Sequence, residues 1–247
     1  MNSEMGQEMH VMTWNVGKSR IVDVEKQIAN YGAELCMITE ALTPPGSSHW
    51  QVGLWHGLSG ARPRSRRSGA AAIMMKGYIW KRVEKTLLRQ HAVAISYTEG
   101  DRVTVAVSLY LPPAMKREDM QSLLDEVSAF IEGTKAQCVI VAGDTNTELH
   151  IAAEEQAGAA RRAHTGSRCP MRVACLKEWQ ERCGLTILSQ SEGRCEPTRW
   201  GRRPQERNSC IDQIMSRGCR AIHPLEVLRP LGMAALSDHS ALRAKKK

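Results

Sequence analysis

Short, continuously apolar runs alternate with polar stretches along this chain, and several of the runs stop on a single polar side chain. HVMTWNV (10–16) reads as a first buried strand that ends at Asn15. In IVDVEKQIANYGAE, Val24, Ile28 and Tyr31 fall on one helical face, and Gly32 is placed to end the helix. ELCMITE (34–40) is a second buried strand and ends at Glu40, after which PPGSSH marks a loop. A strand–helix–strand opening of this kind predicts an α/β fold.

Residues 57–69 read as a basic loop. AAAIMM, YIWKRVEKTLL, HAVAISYT and RVTVAVSLYL then form four β runs with turn signals between them, which predicts an antiparallel meander. The segment 116–133 is the clearest helix, with Met120, Leu123, Leu124, Val127 and Ile131 as its apolar stripe and Gly133 as its end. AQCVIVAGDTN is a further buried strand that breaks at Gly143–Asp144. Residues 150–168 read as surface helix or loop, VACLKEWQERCG as helix, and LTILS, CIDQIMS and ALRA as short strands. No repeat or linker divides the chain. The expected plan is an α/β domain over 10–243, two β-sheets with flanking helices, with a tail at 1–9 and a basic tail at 244–247.

Composition adds little to this plan and charge adds more. At 247 residues, 42% hydrophobic and 24% charged, the chain is long enough for one sizeable core. Net charge is +8, which favours a polyanionic partner, although the terminal lysines contribute to it. The longest apolar runs are strand length, so no membrane-spanning helix is expected. The first ten residues carry acids and no apolar core, unlike a secretory signal. The cysteines, eight in all, are therefore expected to be reduced thiols, with Cys36 and Cys138 as small core residues. Cys169, Cys175, Cys183 and Cys195 cluster loosely. A zinc site there with His164 is the alternative to unpaired structural cysteines.

The polar strand ends carry the candidate chemistry. Asn15, Glu40, Tyr110, Asp144, Asn146, Asp212, Asp238 and His239 each stand at or beside the end of an apolar run. Any one of them alone reads as a polar cap where a strand meets water. Together, if the strands are neighbours, they converge on one edge. Glu40 is a hard carboxylate suited to Mg2+. His239 next to an acid can move protons or stabilise phosphate charge near neutral pH. Asp144, Asn146, Tyr110 and Asn15 add an acceptor and donors. That set suits metal-assisted hydrolysis of a phosphoester. A serine hydrolase is disfavoured, because GLSGA lacks the last glycine of a nucleophile elbow.

In order, TWN (13–15), ITE (38–40), RSGAAAIMM (67–75), SLYLPP (108–113), GDTN (143–146), PT (197–198), SCID (209–212) and LSDHSAL (236–242) resemble the exonuclease–endonuclease–phosphatase superfamily, the deoxyribonuclease I-like group. The likeness runs from about residue 10 to 243, and among its members the endonuclease domains of non-LTR retrotransposons look most similar. The resemblance implies a four-layered α/β sandwich with two packed mixed sheets. It implies Mg2+, with Mn2+ as a possible substitute, held by Glu40 with Asn15 and Asp238 near it. It further implies Asp144 on the attacking water or leaving oxygen, Asn146 and Tyr110 on the scissile phosphate, and His239 oriented by Asp212. Thr198 would shape the site from its loop. Thr39 stands where the family often has Gln, and Thr145 where an aromatic residue is common.

The loop PTRWGRRPQERNSCID lies between two of these motifs. Arg199, Arg202, Arg203 and Arg207 could meet DNA phosphates, and Trp200 could stack or wedge in a groove; a solvated basic loop is the plainer reading. Arg62, Arg64, Arg66 and Arg67 form a second basic loop with the same two readings. The expected function is a Mg2+-dependent endonuclease that nicks DNA at a retrotransposon target site. It would act as a monomer, without a membrane, for a reverse transcriptase on the same or a linked polypeptide. It would work inside the cell, in the nucleus if the element is eukaryotic. The alternatives are an apurinic/apyrimidinic endonuclease or other phosphoesterase of the superfamily, and an inactive nucleic-acid-binding relative.

Overall fold

The structure is a computed structural model that describes residues 8–44, 48–60, 70–149, 169–188, 198–199, 209–219, 222–228 and 237–246. Two β-sheets pack face to face. In the first, of seven strands, β1 (Met9–Asn15) lies parallel to β2 (Leu35–Ala41), and helix α1 (Ile21–Asn30) crosses between them. Antiparallel neighbours complete it: β5 (Ala70–Lys76), β4 (Trp55–Ser59) and β3 (His49–Val52) beyond β2, and β13 (Ala241–Lys246) with β12 (Ile222–Leu228) beyond β1. The second sheet, of six strands, is built the same way. Its parallel pair is β8 (Arg102–Leu109) and β9 (Cys138–Asp144), joined by helix α3 (Arg117–Thr134). β6 (Val83–Leu88) and β7 (Ala92–Glu99) flank β8, and β11 (Asp212–Arg217) with β10 (Thr186–Ile187) flank β9. Helices α2 (Gly77–Trp80) and α4 (Pro170–Arg182) complete the described elements. This is the expected two-sheet α/β sandwich.

Why the strands read as unbroken apolar runs follows from the layers. Both faces of each central strand are covered, so alternate residues enter different cores. Val11, Leu35, Met37, Ile140 and Ala142 fill the space between the sheets. Their neighbours Met12, Cys36 and Ile38 pack with Val24 and Ile28 of α1. Val139 and Val141 pack with Leu124, Val127 and Ile131 of α3 and with Leu176 and Trp179 of α4.

Several expectations are corrected. The four-strand meander is three strands, β6–β7–β8, because AAAIMM pairs with β2 and β4 in the other sheet. The first turn of YIWKRVEKTLL is helix α2, and strand begins only at Val83. The hairpin β3–β4 starts at His49, the last residue of PPGSSH, and runs into the expected basic loop, and β12 falls where no strand is expected. Helix α3 continues through Gly133 and ends on Lys135, whose left-handed φ of 54° caps it. The basic tail is partly strand: Lys245 and Lys246 oppose His10 and Met9 in β13.

The cysteines are not all reduced. Cys138 and Cys219 form a disulfide, and Cys210 is also disulfide-bonded. The β9–β11 register explains the first of these. Arg217 lies opposite Val139, and the chain then turns tightly at Gly218 (φ 68°), which brings Cys219 back over Cys138. Sequence spacing, with the two cysteines 81 positions apart, gives no hint of that register. Cys36, Cys169, Cys175 and Cys183 are free and buried. Cys195 and His164 lie outside the described residues, as does all of 150–168.

Candidate active site at the rim between the sheets

The site forms where inter-sheet positions turn polar. Thr13 and Asn15 continue the side of β1 that begins with Val11, and Asp144 continues the side of β9 that carries Ile140 and Ala142. Asp212 faces Asp144 directly in the β11–β9 ladder. Glu40 is the exception, because strict alternation would turn it with Ile38 toward α1. A register shift between Ile38 and Ala41, with φ of 56° at Glu40, re-aims its side chain toward Asn15 and Tyr110. Asn146 (φ 47°) and Lys18 (φ 64°), whose N–H donates to the Glu40 carbonyl, also adopt left-handed backbone here. Such strain tends to gather at functional sites.

Hydrogen bonds join these groups into one cluster. The Tyr110 hydroxyl donates to Glu40 Oε1 at 3.0 Å. Asn15 Nδ2 donates to Glu40 Oε1 at 3.3 Å and to Asp144 Oδ2 at 2.7 Å. Asn15 Oδ1 accepts from the N–H of Gly17, which fixes the amide. The N–H of Asn146 donates to Asp144 Oδ1 at 2.8 Å. On the other side of Asp144, His239 Nδ1 meets Asp212 Oδ2 at 2.8 Å. The backbone of His239 is held as well, since its carbonyl accepts from Trp14 Nε1 at 3.0 Å. Thr198 Oγ1 accepts from the N–H groups of Ile211 and Asp212, and its carbonyl accepts from Ser240 N–H. Thr198 thus ties the Asp212 and His239 segments together.

Burial sharpens the electrostatics. Asp144 is 1% exposed, and its pKa is pushed up to about 7, first by burial and then by the Asp212 carboxylate opposite it. His239 and the hydrogen bonds from Asn15 and Asn146 pull in the other direction. Burial alone would lower the pKa of His239. The charge and hydrogen bond of Asp212, helped by Asp144 and Asp238, override that and raise it to about 9. Near neutral pH this ring is an imidazolium. Tyr110 is held as a phenol by burial and by Glu40, so it acts as a donor.

The structure thus brings together Asn15, Glu40, Tyr110, Asp144, Asn146, Asp212, Thr198 and His239. Asp238 lies beside them, with Oδ2 3.6 Å from Arg199 Nε, and it interacts with arginine in this arrangement. Asn15 presents its N–H groups to the two carboxylates while its oxygen serves Gly17. Trp200, Arg202, Arg203, Arg207 and Arg67, with Arg62, Arg64 and Arg66, lie outside the described residues. Thr39 Oγ1 is buried without a hydrogen-bond partner, a local consequence of threonine at that position. Thr145 instead packs through a hydroxyl that donates to the Ile211 carbonyl at 3.0 Å.

One residue went unread. Arg172 is buried behind the site and donates to four backbone carbonyls around it. The signal was present, since Arg172 falls on the same helical stripe as Cys169, Leu176 and Trp179, where a charge is out of place.

The donor set fits a hard divalent cation. Glu40 and Asp144 converge on one amide nitrogen, and Asp212 Oδ1 is buried without a partner. The tightest trio of potential ligands among the described residues is Asp144, Asp212 and His239, whose ligand atoms lie within 4.8 Å of one another. His239 is unsuited to that role, because Nδ1 is committed to Asp212 and a metal-binding imidazole must be neutral. The carboxylate of Glu40, next to Asn15 and Asp144, is the better match for a cation such as Mg2+.

Solved structures share this architecture across nearly the whole chain. The endonuclease domain of TRAS1, a telomere-specific non-LTR retrotransposon, superposes with a TM-score of 0.68 at 16% identity, covering 97% of this chain and 98% of that one. The AP endonuclease LMAP from Leishmania major gives 0.69 at 11% identity, covering 98% and 88%. The 3′ phosphatase NExo from Neisseria, bound to product DNA hairpin, gives 0.69 at 14% identity, covering 97% and 99%. At these identities the likeness establishes the fold. Among curated proteins the sequence has no match. Family membership rests on the sequence itself: residues 12–239 match the pattern of the Endonuclease/Exonuclease/phosphatase family, and the chain belongs to it.

Proposed function

We propose that this protein is a divalent-metal-dependent endonuclease that hydrolyses phosphodiester bonds in DNA, nicking a target site as a retrotransposon endonuclease does. The observation that carries the reading is the continuous chain Tyr110–Glu40–Asn15–Asp144, set beside the buried Asp212–His239 pair. One end of this cluster favours a cation and the other presents one. A scissile phosphate between them has its charge met from both sides.

Each group then has a task in the reaction. Glu40 would anchor Mg2+, with Mn2+ able to replace it and Asp144 close by as the base, and the ion would supply Lewis-acid stabilisation of the phosphate oxygens. His239, protonated and oriented through Nδ1 by Asp212, donates from its other ring nitrogen to a phosphate oxygen. The Tyr110 hydroxyl and the Asn146 amide add donors to the same group. Asp144 accepts the proton of the attacking water as its oxygen bonds to phosphorus. The opposite P–O3′ bond breaks, the leaving 3′ oxygen takes a proton from solvent water, and the strand is left with a 3′-hydroxyl and a 5′-phosphate. In a mobile element that end would prime a reverse transcriptase on the same or a linked polypeptide, in the nucleus of a eukaryotic host.

Arg199 supports a DNA substrate. Its side chain is 38% exposed, and its backbone bridges both Ser209 and His239. A cation at that point can meet a phosphate flanking the scissile one. The order and spacing of the motifs, which look most similar to those of non-LTR retrotransposon endonuclease domains, favour the retrotransposon reading. The decisive experiment is nicking of supercoiled plasmid by the monomer in Mg2+, in EDTA and with Glu40→Ala, alongside intact and abasic duplexes. Mg2+-dependent nicking of intact DNA, lost in EDTA and in the variant, is expected. Cleavage confined to abasic sites would instead identify a repair-type enzyme. DNA binding without nicking in any metal would identify an inactive relative.

A further inference from the structure

Arg172 lies in the first turn of α4, 7% exposed, on the face that packs against the second sheet. Among the described residues no carboxylate pairs with it. Among the described residues its guanidinium donates only to backbone carbonyls, and they belong to two loops. Nη1 donates to Pro112 O at 3.1 Å and to Met115 O at 3.4 Å. Nη2 donates to Leu111 O at 3.0 Å and to Thr145 O at 3.3 Å. Nε is buried with no partner.

These loops are the two that leave β8 and β9 at the rim. One begins with Tyr110, the other with Asp144–Asn146. They touch directly, because Leu111 N–H donates to Asp144 O at 2.9 Å. The second is tied to the Asp212 segment through Thr145 N–H and Ile211 O at 3.0 Å. Burying a guanidinium is costly unless its N–H groups are satisfied. A planar fork with several donors can meet carbonyls from both loops at once; a lysine ammonium offers fewer, without fixed directions.

We infer that Arg172 is a positioning residue that clamps the Tyr110 loop to the Asp144–Asn146 loop, setting the spacing between the groups that act on the phosphate. It touches no substrate and acts through the four carbonyls. The catalytic part of this inference rests on the proposed endonuclease activity, and the structural part does not. A spacing error of about an ångström costs an enzyme roughly a hundredfold in turnover, so a clamp at this place governs kcat more than binding.

The test compares Arg172→Met and Arg172→Lys with Leu176→Ala, a cavity variant one turn along the same helix that contacts neither loop through hydrogen bonds. Two readouts are taken on the full chain: steady-state nicking, and backbone amide exchange of the DNA-free protein at Leu111 and Thr145. Arg172→Met is expected to lower kcat by about 100-fold with KM changed less than about threefold, and to speed exchange at both amides. Arg172→Lys should fall between methionine and wild type. Leu176→Ala should lower Tm while leaving kcat and both exchange rates close to wild type.

The clamp is refuted if exchange at the two amides is unchanged in Arg172→Met, whatever the activity. It is also refuted if Leu176→Ala reproduces the kcat loss, or if Arg172→Lys retains full turnover. Faster exchange in Arg172→Met together with a wild-type protein that nicks no DNA would overturn the proposed function and leave the clamp standing.

Discussion

Replacing Asp212 with asparagine isolates the electrostatic core of the site. The change keeps size and shape but removes the charge 2.8 Å from His239 Nδ1. Both side chains are almost fully buried, so little solvent screening weakens the pair. His239 is held at about 9 against an ordinary 6.5, although burial on its own would lower it. At about 1.4 kcal/mol per tenfold change, that preference for the imidazolium is worth roughly 3 kcal/mol. Without Asp212 burial dominates, and His239 should titrate below 6.5. At pH 7.5 the protonated fraction would drop from nearly all to about a tenth or less, and nicking should fall by at least that factor. The assay is a ring titration of His239 by NMR, paired with the pH dependence of nicking.

The stability effect has a definite sign. A histidine whose folded pKa is raised contributes stability that is complete below 6.5 and lost as pH climbs through about 9. In Asp212→Asn this contribution disappears. The depressed histidine then costs stability as pH falls below 6.5. An asparagine variant whose His239 still titrates near 9, or whose nicking is unchanged at pH 7.5, would refute the reasoning.

Two further predictions probe the frame. Gly143 has φ of 150°, and a Cβ there would sit 2.0 Å from the Leu109 carbonyl oxygen, so Gly143→Ala forces β8 and β9 apart beside Asp144. It should destabilise the fold by more than about 2 kcal/mol, read as a lower urea midpoint; an unchanged midpoint would contradict the packing. Cys219→Ser opens the disulfide to Cys138 across 81 residues of chain. It should cost about 2–4 kcal/mol, and reductant should lower the wild type to match; wild-type stability indifferent to reductant would show the bond does not form in solution.

What could be read from the sequence depended on which force set each feature. Strands such as 10–16 and 136–146 were legible because burial on both faces makes them uniformly apolar. The polar ends Asn15, Glu40, Asp144 and His239 stood out against that background, and the order of their motifs pointed to the family. Tertiary choices were hidden. AAAIMM has the same character whether it continues a meander or crosses to the other sheet, so the register to β2 decided its place. Glu40 points into the site only through a bulge, which alternation does not foretell. The Cys138–Cys219 bond depends on a ladder register and one glycine turn. Arg172 was missed because its partners are backbone carbonyls, which leave no mark in a sequence.

The central claim is that Glu40 and His239, on separate segments, act on one phosphate as a unit. A double-mutant cycle tests this most directly, using single-turnover nicking by wild type, Glu40→Ala, His239→Ala and the double variant in Mg2+. The account predicts that each single change removes most of the rate and that the double variant is little worse than the weaker single. Losses that simply multiply, or a single variant that nicks at the wild-type rate, would contradict it.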